Sequence, residues 1–171
     1  VKTLKLIKSV IAFAFIVTFS GPSWADWQVK AEDDAFAGKD TVKLLGALST
    51  DVGVMYECKG GELAVHYLEK NDLADYIQNG ASVGEMAIKV DSNEPIVFQD
   101  VHLYRHNQNF ISIRSYDKAS IIQSLKLLKS AKVGVVAGVR LTSGKKLSST
   151  GDFHQASKAV SSFTQLCDIK L

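Results

Sequence analysis

The sequence predicts an α+β domain: mainly antiparallel β-sheet, or a sandwich of sheets, with two helices, closed by one disulfide. Three observations carry this. Short segments of alternating hydrophobicity recur, separated by glycine, asparagine and proline signals. Two longer segments have helical apolar spacing. The chain has only two cysteines, Cys58 and Cys167, and each falls on an apolar face.

The first 25 residues are expected to lie outside the fold. Lys2, Lys5 and Lys8 precede an almost purely apolar run from Val10 to Phe19. Gly21-Pro22 breaks that run, and Ser23-Trp24-Ala25 has the small-x-small form of a cleavage site. This is the pattern of a secretory signal peptide, with cleavage expected after Ala25; an uncleaved anchor is the alternative. The run is too short to span a bilayer. The remainder, 26–171, reads as a single periplasmic domain of ordinary size, large enough for a core. Two cysteines in an exported chain predict a Cys58–Cys167 disulfide, with two buried thiols as the alternative.

In chain order, Trp27 to Lys30 alternates as a first strand. Val42 to Leu48 is an apolar strand, and Val52 to Cys58 alternates with period two. Lys59-Gly60-Gly61 is a hairpin signal, answered by Glu62 to Leu68. That alternation puts His66 on the face opposite Leu63, Val65 and Tyr67, as a surface or rim histidine. Asn71 to Asn79 reads as a short helical turn. Glu85 to Val90 is a strand, and Ile96 to Arg105 is one long strand with Phe110 to Arg114 as its hairpin partner. The sheet so far reads as an antiparallel meander. Asp117 caps an amphipathic helix to Ser130, with Ile121, Ile122, Leu125 and Leu128 on one face. Val133 to Leu141 and Lys145 to Ser149 are the last strands. A closing helix follows, capped by Asp152 or Thr150, with Ala156, Ala159, Val160, Phe163, Leu166 and Cys167 on its buried stripe.

Composition excludes some functions. Loss of Lys2, Lys5 and Lys8 leaves 17 basic residues against 18 acidic, a formal charge of −1. That is no electrostatic footprint for nucleic acid. Asp33 and Asp34 lack a calcium ligand ladder and read as a solvated loop. Gly80-Ala81-Ser82-Val83-Gly84 matches a nucleophile elbow, but that motif needs strand before serine and helix after, and here the order is reversed. Two SxxK matches, at Ser115 and Ser143, lack the companion motifs of penicillin-recognising enzymes. His102 and His106 are four apart, which on a strand separates them by about 13 Å, so no metal site is expected. His102, Tyr104, Arg105 and His106 form a candidate binding edge, weighed against a solvated strand edge.

The order of features resembles exported accessory proteins of type VI secretion, of the TagO/VasI type, and more loosely the invasion-associated locus B proteins. The resembling points are Trp27, the acidic pair Asp33 and Asp34, and the strand that ends in cysteine and glycine before a second strand, Met55 to Val65. Lys89, Val90, Asp91 and Pro95 are similar to an Arg-x-Asp before a proline. Leu147, Gly151, Ala156 and Cys167 fall where that family has F-x-x-x-G, a helix alanine and a final cysteine. Leu147 stands in place of an aromatic residue, and Lys89 in place of the arginine. The resemblance implies an exported, non-enzymatic module with one disulfide, and it carries over no binding residue.

The function expected is that of a periplasmic binding or accessory protein that contacts another envelope protein, without catalysis, cofactor, nucleic acid or a stable membrane span. An inhibitor or immunity protein against an envelope-targeting enzyme such as a lysozyme is the alternative. It would present a loop, with His106 to Asn109 and Ala81 to Gly84 as candidates. A hydrolase built on Ser82 would need a histidine and an acid within hydrogen-bond reach of that serine.

Overall fold

The computed structural model describes residues 26–32, 41–70 and 82–171. The expected signal segment, the Asp33-Asp34 pair, the expected 71–79 turn, and Gly80 and Ala81 lie outside the described residues.

Among the described residues, ten strands form two antiparallel sheets, packed with two helices. The strands are β1 (Gln28–Glu32), β2 (Thr41–Ala47), β3 (Val52–Lys59), β4 (Glu62–Glu69), β5 (Val83–Val90), β6 (Ile96–Phe98), β7 (His102–Arg105), β8 (Ile111–Ser115), β9 (Val135–Leu141) and β10 (Lys146–Gly151). The helices are α1 (Lys118–Lys129) and α2 (Ala156–Leu166). The first sheet runs β1-β2-β3-β4-β8-β7 and the second β10-β9-β5-β6. The α+β class and the disulfide are as the sequence predicts.

The β3–β4 hairpin forms where expected. Gly60 and Gly61 turn it with φ of 60° and 88°, the left-handed pair that suits a two-residue hairpin loop. The meander is replaced by three crossings between sheets, from β4 to β5, from β6 to β7 and from β8 to β9. Ile96 to Arg105 is not one strand. β6 pairs with β5 in the second sheet, and β7 pairs with β8 in the first. The chain changes sheet over Gln99–Val101, because Phe98 is fully buried while Gln99 and Asp100 are exposed.

Between the sheets lies one hydrophobic core. α1 packs on β4 of the first sheet and on β5 and β6 of the second, while α2 packs on β1, β2 and α1. Asp117 caps α1 by accepting from the Ala119 and Ser120 amides. α2 lacks the expected Asp152 or Thr150 cap. Gln155 precedes it at φ 60° without a side-chain bond, and the Asp152 carboxylate instead accepts from the Phe153 amide. Leu166 is 59% exposed rather than part of the buried stripe. Cys58 on β3 is bonded to Cys167 at the end of α2, with Cα atoms 6.3 Å apart. Such a bond belongs to an oxidising compartment. No helix among the described residues is long and apolar enough to cross a membrane.

Two polar contacts fix the ends of the fold. The Trp27 indole donates to the Asp152 carbonyl (3.0 Å), and the Trp27 amide donates to the His154 carbonyl (3.1 Å), so the first strand is tied to the start of α2. Asp91, at φ 53°, accepts from the amides of Lys132, Val133 and Gly134 at 2.8–3.0 Å and anchors the loop between α1 and β9. These bonds hold its carboxyl below the usual range, that to Gly134 most strongly.

Candidate functional site

The first sheet has two faces. Val54, Tyr56, Val65, Tyr67 and Ile113 enter the core between the sheets. The second face carries polar side chains from β4, β8 and β7. In the antiparallel register His66 pairs with Arg114 and Arg114 with His102, while Ser112 pairs with Tyr104. Register partners point to the same side of a sheet. Tyr116 continues this alternation just past β8.

The side chains form a connected chain of polar contacts. Arg114 Nη2 donates to the Tyr104 hydroxyl at 2.6 Å, and Arg114 Nη1 donates to the Tyr116 hydroxyl. The guanidinium carbon lies 4.3 Å from the Tyr104 ring centre and 5.4 Å from that of Tyr116, both within cation–π range. The Tyr104 oxygen lies 2.7 Å from His66 Nδ1, and Ser112 Oγ lies 3.1 Å from the same nitrogen. The phenol oxygen keeps a second lone pair besides the one facing arginine, so Tyr104 either donates to Nδ1 or accepts from it, according to the imidazole tautomer. His66 Nε2 and Arg114 Nε are buried without a hydrogen-bond partner among the described residues.

His66 is completely buried, not a surface or rim residue. Burial is the main reason its pKa is pushed down to about 3, with the charges of Arg114, His106 and Lys43 adding to it. The ring is neutral at physiological pH. His106 is also held below its ordinary value, first by burial and then by Lys43. Its ring centre lies 6.5 Å from that of His66 and 6.4 Å from that of Tyr104.

Of the four residues in the expected binding edge, Tyr104 and His106 join this cluster. His102 lies at its exposed margin, 6.2 Å from the Tyr116 ring and 3.6 Å from the Asp100 carboxylate. Arg105 does not join it. Arg105 pairs with Ile111, whose side chain enters the core, so it faces the other way and reaches the Gln108 carbonyl at 3.5 Å. Sequence reasoning missed His66, Ser112, Arg114 and Tyr116. The signal was the alternation Ser112, Arg114, Tyr116, a polar series on the strand that lies against His66.

Beside the cluster lies a groove of about 590 Å³. It is bordered by Gln28 and Lys30 of β1, by Leu45 and Leu68, and by His106 and Phe110 of the β7–β8 turn. In a flat sheet the two edge strands would stand about 24 Å apart, five steps of about 4.8 Å. One groove touching both edges shows that the sheet curls around it. The β7–β8 turn is held in shape. Asn107 Oδ1 accepts from the amides of Asn109 and Phe110 at 2.8 and 2.9 Å, and the His106 amide donates to the Phe110 carbonyl at 2.9 Å.

The other sequence motifs behave differently. The Ser82 hydroxyl lies 2.9 Å from that of Thr142, with no histidine or acid joined to it among the described residues. No group of three His, Cys, Asp or Glu side chains able to hold a metal forms among the described residues. Compared with known protein families, with curated proteins and with solved structures, the chain finds no match in any of the three.

Proposed function

We propose that the protein is a periplasmic binding or accessory protein that contacts another envelope protein through the β7 edge and the polar face behind it, without catalysing a reaction. One observation carries this reading. β7 ends the first sheet, and near that open edge the buried Arg114 Nε and His66 Nε2 have no hydrogen-bond partner among the described residues. An open strand edge is a template for another chain, and unmet buried polar atoms mark a place where a partner group is wanted. The disulfide supports export, since it needs an oxidising compartment. A role beside a secretion system rests on the TagO/VasI-type resemblance alone.

The test is affinity capture from envelope extract with the oxidised chain 26–171 as bait. One specific partner is expected, lost when Leu103→Pro blocks the β7 edge and retained by Val97→Asp on the second sheet. Equal retention by both variants would contradict the reading.

The pre-formed turn from His106 to Asn109 favours a second reading, an inhibitor or immunity protein that inserts this turn into the cleft of an envelope-targeting enzyme. Rigid loops bind with less ordering cost. An assay of lysozyme inhibition separates the two readings: loss of inhibition on Asn107→Ala supports the second, and absence of inhibition by the unaltered chain removes it.

A further inference from the structure

A cavity of about 560 Å³ lies at the end of α2, and both halves of the disulfide are in its wall. Cys58 and Cys167 are each half-buried rather than enclosed. The rest of the wall includes Lys118 and Ile122 of α1 and the segment from Asp168 to Lys170 that follows α2. Thiol–disulfide exchange needs a thiolate to reach one sulfur, so a bond that borders open space is exposed to it in a way that a bond sealed in a core is not.

We propose that this cavity admits a small anionic thiol, which exchanges with the Cys58–Cys167 bond and leaves Cys167 S-thiolated. The bond is then a covalent modification site as well as the closure of the fold. This goes beyond the binding reading and does not depend on it.

Charge selects the thiol. The cavity wall carries Lys118 and Lys170 against Asp168, an excess of one positive charge. Neither lysine is ion-paired among the described residues. Asp117, next to Lys118, directs its carboxylate to the Ala119 and Ser120 amides and to the Ser120 hydroxyl. Lys59 and Glu62, beside Cys58 in the hairpin, are register partners of opposite charge. An attacking thiolate is itself an anion, and a second negative group on the same molecule adds to its attraction to the two lysines.

Access selects the sulfur. Cys58 lies within the sheet, with the buried Val42 and Leu63 as its register partners on either side. Cys167 stands at the end of α2 between Leu166 and Asp168, both exposed. The helix end gives a second reason. The C-terminal end of a helix carries partial negative charge, so a thiolate is better released from Cys58 than from Cys167. The incoming R–S⁻ therefore attacks Cys167 Sγ. A bond forms between those two sulfurs, the Cys58–Cys167 bond breaks, and its electron pair leaves on Cys58 Sγ, which takes a proton from water. A second R–S⁻ that attacks the R sulfur of the adduct releases Cys167 and R–S–S–R. Two small thiols are then oxidised to one disulfide, and the protein's disulfide is reduced to two thiols.

Opening the bond leaves other ties on α2. The Trp27 indole and amide still hold the segment before it, Phe163 still packs 6.5 Å from the Tyr56 ring, and the Ile169 amide still donates to the Thr164 carbonyl at 2.9 Å. The modified chain is expected to stay folded, with its change confined to the end of α2.

The test uses the oxidised chain 26–171 at neutral pH with three thiols: 2-mercaptoethanesulfonate, 2-mercaptoethanol and cysteamine, which are anionic, neutral and cationic. Aliquots are quenched with excess N-ethylmaleimide, which caps the freed cysteine before the bond re-closes. Intact mass and peptide maps then give the rate and the position of the adduct. Rates are expressed per thiolate and corrected for thiolate basicity. The sulfonate is expected to react about threefold to fivefold faster than the neutral thiol, the size of one screened charge contact, and cysteamine slowest. The adduct is expected on Cys167 and the maleimide on Cys58. Lys118→Gln with Lys170→Gln should erase the order of the three thiols. Ile122→Phe, which narrows the cavity without changing charge, should slow all three.

The same rates are measured in urea below the unfolding transition. Attack on the folded chain predicts a rate nearly independent of urea. A rate that climbs with urea as the unfolded fraction does means that the sulfurs are reached only after unfolding, and it overturns the proposal. So does the absence of any adduct on the folded chain, an adduct on Cys58 in place of Cys167, or equal rates for the three thiols.

Discussion

His66 is neutral in the fold and would be charged in the unfolded chain under acid. Its ordinary value is about 6.5, and in the fold it titrates near 3. Between those values the unfolded state binds more protons than the folded one, so stability rises with pH up to about 6.5 and then levels off. On acidification the loss approaches about 1.4 kcal/mol per pH unit from this one group. Denaturant unfolding between pH 4 and pH 7 should show that slope, and His66→Gln should flatten it; an equal slope in the variant would exclude His66 as its source. Asp91 acts lower on the scale. Its carboxyl is depressed by bonds to backbone amides, so its contribution is present above the ordinary aspartate value and is lost as pH falls through the folded value. Asp91→Ala removes three bonds to amides that are exposed or half-buried and should destabilise by about 0.5–1.5 kcal/mol, read as a lower denaturation midpoint. Asp91 was legible only as part of a short family-like pattern. Its work was not, because the amides it holds lie more than 40 residues away in sequence.

Among the elements, the legible ones are those whose sequence period and end signals agree. The β3–β4 hairpin has two glycines at its turn and clean alternation on both sides. α1 has an apolar stripe and an aspartate cap. The β6–β7 break has no such signal. No glycine, proline or asparagine interrupts Ile96 to Arg105, and the change of sheet follows from where Phe98 finds its core. The burial of His66 was hidden for a similar reason. A polar residue between Ala64 and Leu68 reads as solvent-facing, and only the neighbouring β8 and β7 supply Ser112 and Tyr104 to satisfy it. Close packing also sets Gly46. A Cβ added there would lie 2.5–2.6 Å from the Trp27 indole, so Gly46→Ala should displace that ring. Overpacking of this kind costs about 1–3 kcal/mol. A lower denaturation midpoint together with a shifted tryptophan emission is the expected result; an unchanged midpoint would mean that the indole has room to move.

Across the whole molecule, the disulfide connects the middle of the first sheet to the last helix over a separation of 109 residues. In the chain-entropy model a loop of that length contributes on the order of 4–5 kcal/mol. Cys58→Ser with Cys167→Ser should lower stability by up to that amount and speed amide exchange first in α2. If α2 exchanges no faster than in the oxidised chain, the bridge is not what holds it. Two sheets and two helices around one core place the bond and the polar face on opposite sides of the first sheet. The polar face proposed for binding is therefore separate from the closure that stabilises the fold. The sequence supplied three of the side chains on or beside that surface, His102, Tyr104 and His106. Their assembly with His66 and Arg114 depends on β8 lying between β4 and β7, an order no local pattern encodes. The most direct measurement places a photo-crosslinking residue at Leu103 on the β7 edge, or at Val97 on β6, in the oxidised chain incubated with envelope extract. The account predicts a discrete protein adduct from position 103 and none from position 97. An adduct from position 97 alone, or from neither position, would contradict it.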